Sequence, residues 1–262
     1  MQMLDNSIRL SGGLLHWYEA GDGDLPVILL HGGGGTGRAW LHQLEFLSDR
    51  GYRVLAPDMP GFGRSDWFDG VAHVEDITPT LFEWMDKLGV SRAILGGNSM
   101  GGRVAMSMAS AHPNRVVALI ILDSVGVSLS DVAVTNPLSL PPSGYMQGLV
   151  ADVNRYKERT PYRTLDDARE LNRGRASFAR YLKEGEIRPD PALDVGRLDM
   201  PVLLVWGRED QIVPLAYGRA LDSELAKSEL LVIDHCGHLP HIEEPDITNH
   251  AILEFLQRLP RR

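Results

Sequence analysis

Gly97-Asn98-Ser99-Met100-Gly101 follows a short apolar run, Ala93-Ile94-Leu95, and precedes a small-residue helical pattern over residues 100–112. Gly-x-Ser-x-Gly between a strand and a helix is the sequence of a nucleophile elbow. A serine at the tip of so tight a turn must hold strained backbone angles, and side chains two residues to either side of it would collide. The turn lifts the hydroxyl clear of the sheet and aims the first N–H groups of the helix at the reaction centre. The competing reading is a glycine-rich turn with an incidental serine, so the rest of the chain has to decide.

Working outward from the elbow, short apolar runs alternate with amphipathic segments. Residues 26–30, 52–56, 93–95, 116–122, 201–206 and 230–233 are short apolar runs, interrupted only by Arg53, and read as strands buried on both faces, as in parallel sheets. Between them lie helical patterns near 39–50, 74–88, 100–112, 215–226 and 245–257. Strand–helix alternation predicts a doubly wound α/β sheet. Residues 7–20 alternate less cleanly and predict an antiparallel hairpin at one edge.

Residues 126–198 break this rhythm, with prolines at 137, 141, 142 and 161 and helical patterns near 144–158 and 164–184. A structureless loop of that length is improbable inside a compact domain. The expected organisation is therefore a core of residues 1–125 and 199–262 with a small helical cap, 126–198, inserted between two strands. The cap carries Arg155, Arg159, Arg163, Arg169, Arg173, Arg175 and Arg180. Most suit solvated helix faces; one or two could meet a bound carboxylate.

The chain has 262 residues, one cysteine and a formal charge of −9. A core of that size needs neither disulfides nor metal, and a single cysteine forms no internal disulfide, which favours a reducing, cytoplasmic compartment. No basic segment followed by an apolar stretch opens the chain, so no signal peptide is expected. No apolar run of about 18 residues is present, so no membrane span is expected. The acidic balance argues against a general affinity for nucleic acid or anionic lipid; it fits simple solubility and says little about the substrate, which is expected to be a small molecule.

A serine hydroxyl near neutral pH needs a base, and the base needs an orienting acid. In open α/β sheets such groups collect outside the carboxyl ends of the strands. After the run ending at Trp206 comes Gly207-Arg208-Glu209-Asp210-Gln211-Ile212-Val213-Pro214. After the run ending at Ile233 comes Asp234-His235-Cys236-Gly237-His238-Leu239-Pro240-His241. The order Ser99, Asp210, His238 is Ser…Asp…His.

With His31-Gly32-Gly33-Gly34 and Asp58-Met59-Pro60-Gly61-Phe62-Gly63-Arg64-Ser65 added, five segments in order resemble the α/β-hydrolase family over nearly the whole chain. The resemblance implies the α/β-hydrolase fold, with Ser99 as nucleophile, His238 as general base and Asp210 as its partner. Asp123 also ends a strand and is the rival acid. His235 and His241 flank His238 but do not follow the glycine of the family pattern, which gives them structural or pocket-lining roles. Asp58 is similar to the family's loop aspartate, which organises the turn beneath the site. Cys236 reads as a small buried residue.

An oxyanion hole needs two N–H donors, expected from Met100 and Gly33. Gly32 to Gly37 lacks the Gly-Lys-Ser/Thr ending of a phosphate loop. A dinucleotide fingerprint fitted there lacks the acidic residue about 20 positions on. No cofactor and no metal are expected.

Triad and oxyanion hole imply acyl transfer to water. Ser99 excludes the dehalogenases and epoxide hydrolases of the family, which carry Asp at the elbow. An ester or lactone is the first expectation, because Gly-His-Leu-Pro-His-Ile-Glu-Glu-Pro is common among esterases and lactonases. The alternative is a carbon–carbon bond hydrolase of ring-fission products, which Gly-Asn-Ser-Met-Gly-Gly, His-Gly-Gly-Gly and Cys-Gly-His resemble. Those enzymes usually carry Trp where Leu239 stands and have a longer cap. A signal receptor on the same fold is a remote alternative, set apart by Asn98-Ser99-Met100 where such receptors carry His-Ser-Val. The cap is expected to select the substrate without supporting the triad.

Overall fold

A computed structural model describes residues 3–128, 132–182, 187, 189–190 and 193–260. Eight strands form one sheet in the order β1-β2-β4-β3-β5-β6-β7-β8. β1 (Leu4–Arg9) and β2 (Leu14–Ala20) make the edge hairpin, and β2 pairs antiparallel with β4 (Val54–Pro57). β3 (Val27–Leu30), β5 (Ala93–Asn98), β6 (Val116–Leu122), β7 (Val202–Gly207) and β8 (Ser228–Ile233) continue it in parallel.

The continuous apolar runs divide with period two between two cores. Ile28, Leu30, Leu95, Leu119, Ile121 and Leu204 face one core. That core also takes residues of α2 (Ile77–Lys87), α3 (Met100–Ala111) and α7 (Leu215–Glu224). Val27, Leu29, Ile94, Ile120, Leu203 and Val205 face the other, with α1 (Leu41–Ser48) and α9 (Pro245–Arg258). Burial on both faces is why these strands show no polar alternation.

β3 lies between β4 and β5, so the chain leaves its carboxyl end in one direction and β5 enters from the other. Such a switch point opens a crevice above the strand ends. His31 to Gly35 and Ser99 both lie there.

β5 runs three residues past the apolar stretch, to Asn98. The periodicity stops at Leu95 only because Gly96 and Gly97 carry no side chain; their backbones stay in register with Ile120 and Ile121.

Between β6 and β7 the described residues form α4 (Tyr145–Leu149), α5 (Val153–Arg159), α6 (Leu165–Tyr181) and two short 3-10 turns, with no strand. The helical pattern near 144–158 is two helices, not one. Val150 turns extended at φ −128° and ψ 147°. Asp152 then caps a new helix, accepting from Asn154 N at 2.8 Å and Arg155 N at 3.1 Å. No helix among the described residues is long and apolar enough to cross a membrane.

Candidate active site

Ser99 joins β5 to α3 with φ 53° and ψ −117°. A left-handed conformation of this kind costs a non-glycine residue about 1–3 kcal/mol. A Cβ on Gly97 would collide with the backbone of Gly101 and Gly102, and one on Gly101 with the carbonyl of Leu30 at the end of β3. The glycines therefore let α3 press against two strands at once. Asp123 (φ 42°) and His235 (φ 56°) are the other non-glycine residues with positive φ among the described residues. All three follow strand ends on the same edge of the sheet.

His238 is buried, and its Nδ1 lies 2.8 Å from Asp210 Oδ2. Asp210 Oδ1 accepts the N–H groups of Ile212 (2.7 Å) and Val213 (3.0 Å), which orients the carboxylate toward the ring. A carboxylate only accepts, so Nδ1 carries the hydrogen and Nε2 keeps its lone pair. Ser99 and His238 line the same cavity, of about 270 Å³.

The backbone around His238 is held on both sides. Its N–H donates to Leu149 O at 2.7 Å, and its carbonyl accepts from Asn98 Nδ2 at 2.9 Å. Glu243, fully buried, accepts from Gly237 N (3.0 Å) and Leu239 N (3.3 Å) through Oε1, and from Ala151 N (2.8 Å) through Oε2. Asn98, Leu149 and Glu243 were not expected from the sequence. Asn98 was visible as the residue before the serine. Leu149 meets His238 from a segment distant in sequence, and Glu243 joins Gly237 and Leu239, close in sequence, to the distant Ala151; no local pattern marks either. The helical segment between β6 and β7 therefore reaches the loop carrying His238, contrary to a cap that only roofs the site.

Gly33 lines the cavity with Gly32, Gly34 and Gly35. His31, fully buried, stiffens this loop. Its Nε2 accepts from Met59 N at 3.0 Å, so Nδ1–H donates to Gly32 O at 2.8 Å. Burial lowers its pKa and keeps it neutral. Met100 opens α3, where the first N–H groups of a helix have no carbonyl one turn back. α6 lies directly on the glycine loop. A Cβ on Gly174 would come within 2.7 Å of Gly34 O, and the Phe178 ring occupies the space a Cβ on Gly33 would need.

Asp58 accepts from Gly37 N (2.7 Å) and Arg64 N (2.8 Å) and meets His16 Nδ1 at 2.8 Å, well placed to shape the turn. The His235 side chain is exposed, whereas His241 lines the cavity, stacked on Trp40 with centroids 4.3 Å apart. Burial, then the neighbouring His238 and His42, lower the His241 pKa to about 3. The Cys236 thiol is buried, and burial followed by Glu243 pushes its pKa up, so it is no nucleophile.

Asp123, Asp210 and His238 bring one possible ligand atom each within 4.8 Å of one another. The His238–Asp210 hydrogen bond and the two backbone donors on Asp210 already occupy the donor set of two of them.

Four of the described arginines between β6 and β7 have partners near the surface. Arg155 and Arg159 meet Glu244 at 2.7 and 2.9 Å, Arg169 meets Asp166 at 2.8 Å, and Arg180 stacks on Trp67. Arg175 lines the cavity instead, its guanidinium 4.2 Å from the Tyr145 ring centre.

A sequence model of the alpha/beta hydrolase family matches residues 27–251. The chain belongs to that family. This alpha/beta hydrolase is an enzyme of the hydrolase class. It is 32% identical to a 2-hydroxy-6-oxononadienedioate/2-hydroxy-6-oxononatrienedioate hydrolase of a Pseudomonas species, over 94% of this chain and 93% of that protein. It is 30% identical to the 2-hydroxy-6-oxo-6-phenylhexa-2,4-dienoate hydrolase of Comamonas testosteroni, over 95% and 93%. The structure of a thermophilic esterase from Thermogutta terrifontis superposes with a TM-score of 0.75 at 26% identity, covering 99% of both chains.

Proposed function

We propose that this alpha/beta hydrolase cleaves a carbon–carbon bond in a 2-hydroxy-6-oxo-dienoate, with Ser99 as nucleophile, His238 as base and Asp210 as its orienting acid. This reverses the order expected from the sequence, which placed ester or lactone first. The Gly-His-Leu-Pro-His-Ile-Glu-Glu-Pro ending, Leu239 in place of Trp and the shorter cap carried that expectation, but the two relatives named for dienoate hydrolysis align over more than nine-tenths of the chain. The observation that carries the reading is Arg175, which lends a cation to the wall of the cavity that Ser99 opens into. Arg175 is exposed and pairs with no carboxylate among the described residues, so its guanidinium is available to an anionic substrate group. An ordinary uncharged ester has no use for that charge.

The chemistry follows from the geometry. Carbon leaves only as a stabilised anion. In the keto form of such a substrate, the electron pair of the breaking C5–C6 bond delocalises to the 2-oxo group, beside the carboxylate that Arg175 would hold. Ser99 Oγ attacks the C6 carbonyl as His238 Nε2 takes its proton. The Gly33 and Met100 amides would stabilise the tetrahedral oxyanion. Collapse gives an acyl-Ser99 and a dienolate, which takes up a proton. Water, deprotonated by His238, then releases the acid. The described helices α4, α5 and α6, within the segment 126–198, would form a cap over this cavity. A reducing, cytoplasmic setting fits the single buried free thiol of Cys236.

Steady-state kinetics on a panel tests this. The panel holds p-nitrophenyl esters of graded chain length, lactones, and dienoates with a phenyl or a second carboxylate end. The proposal expects the highest kcat/KM on a dienoate. A lactone or an uncharged ester exceeding every dienoate would return the enzyme to the esterase reading.

A further inference from the structure

A second carboxyl group lies beneath the proposed acid of the triad. Asp123 follows β6 and is fully buried, with a left-handed backbone at φ 42°. Its Oδ1 accepts Gly207 N at 2.9 Å, at the end of β7. Its Oδ2 is buried, with no partner among the described residues other than the Asp210 carboxylate. The groups facing it are Asp210 after β7, His238 after β8 and Glu243 in α8 (Pro240–Glu243). Two of these three are acids.

Two ionised carboxylates so close, away from water, repel strongly, and an oxygen without a donor is left unsatisfied. One proton removes both defects. Asp210 is the worse place for it, since both of its oxygens already accept N–H hydrogens, from His238 and from two backbone amides. We propose that Asp123 is held as the neutral acid and donates its proton to Asp210, making it a positioning residue beneath the triad. Burial first, and then the Asp210 charge, push the Asp123 carboxyl well above the usual carboxylate range.

Asp210 then has a donor on every side: His238 Nδ1–H, two backbone amides and the Asp123 hydroxyl. It is fixed in angle, so the imidazole it orients keeps Nε2 toward Ser99. The left-handed backbone at Asp123 is the local cost of delivering this group from the end of β6. The role rests on the reading of Asp210 and His238 as the activating pair.

Asn in place of Asp123 reproduces the pattern, its carbonyl accepting from Gly207 N and its amide donating to Asp210. Asp123→Asn should therefore keep kcat on p-nitrophenyl acetate within about threefold, with the acid limb of the kcat/KM profile unmoved. Asp123→Ala removes the donor and should lose roughly tenfold or more, the scale of one buried hydrogen bond. At about pH 8, far above the ordinary carboxylate range, difference infrared spectra of wild type minus Asp123→Asn should show the carbonyl stretch of a protonated carboxylic acid. That band reads Asp123 alone, so its result stands even if Ser99 proves not to be the nucleophile or Asp123→Ala does not fold. Absence of the band overturns the proposal. So does an acid limb that falls by about one unit or more in Asp123→Asn, because an ionised Asp123 had then been supporting the imidazolium. Full activity in Asp123→Ala overturns it as well.

Discussion

The backbone N–H of His238 donates to the carbonyl of Leu149 across 2.7 Å, tying the loop of the proposed base to the helical segment between β6 and β7. The contact is close because residue 237 is glycine; a Cβ there would lie 2.8 Å from Leu149 O and from Ala151 N. Gly237→Ala should push the two segments apart and lower kcat for every substrate, a small acetate ester included. A displacement near 1 Å costs on the order of 100-fold. Met146→Ala, which only enlarges the cavity wall, should instead change the ranking of substrates. Steady-state kinetics on both variants checks this; a Gly237→Ala enzyme with normal kcat on acetate refutes the tether.

Arg175→Gln should raise KM for dienoates and other carboxylate-bearing substrates and leave p-nitrophenyl acetate within about twofold. Arg175 is exposed, and an exposed ion pair is worth about 0.2–1 kcal/mol, so the expected rise in KM is roughly 1.5- to 5-fold. Equal losses on charged and uncharged substrates would mean that Arg175 serves the fold rather than the ligand.

Asp210→Asn should lower kcat by about 10⁴-fold, because an amide offers the imidazole the wrong hydrogen-bonding group and no charge. Kinetics beside Asp123→Asn separates the two acids. A near-normal Asp210→Asn with an inactive Asp123→Asn would exchange their roles.

His16 supplies a pH test away from the cavity. Its ring is buried between Asp58 Oδ2 at 2.8 Å and Asp5 Oδ1 at 2.7 Å. Burial alone lowers its pKa, but the two carboxylates outweigh it and the net shift is upward from 6.5. A raised folded pKa means stability that is fully present below 6.5 and lost as the pH rises through the folded value. The Tm gap between wild type and His16→Gln should therefore shrink as the pH climbs from about 6 to about 9. A gap that stays constant or widens contradicts the charged bridge.

The sheet was legible because continuous apolar runs such as 116–122 arise only where a strand is covered on both faces. Ser99, His238 and Asp210 could be proposed together because each follows such a run within a recognisable local pattern; the structure puts His238 against Asp210 and Ser99 on the same cavity as His238. Asp123 was seen only as a competitor, since a sequence does not show that two strand ends bring two carboxyls together. Glu243 and Leu149 escaped for the same reason. The break at Val150 was hidden because Asp152 is as compatible with a helix surface as with a cap. The order of ester and carbon–carbon cleavage rested on the segment Gly237 to Pro245, including Leu239, and on cap length, which are only part of what shapes the cavity.

Single-turnover cleavage of 2-hydroxy-6-oxo-6-phenylhexa-2,4-dienoate by wild type and Ser99→Ala bears most directly on the chemistry, followed by the loss of the substrate's absorbance. Wild type should yield benzoate and 2-hydroxypenta-2,4-dienoate in equal amounts. Ser99→Ala should bind the dienoate and cleave it about 10⁴- to 10⁶-fold more slowly, the range left when a triad nucleophile is removed. A Ser99→Ala enzyme that keeps more than about a tenth of the wild-type rate, or a wild type that leaves the dienoate intact while hydrolysing esters, contradicts serine-dependent carbon–carbon cleavage.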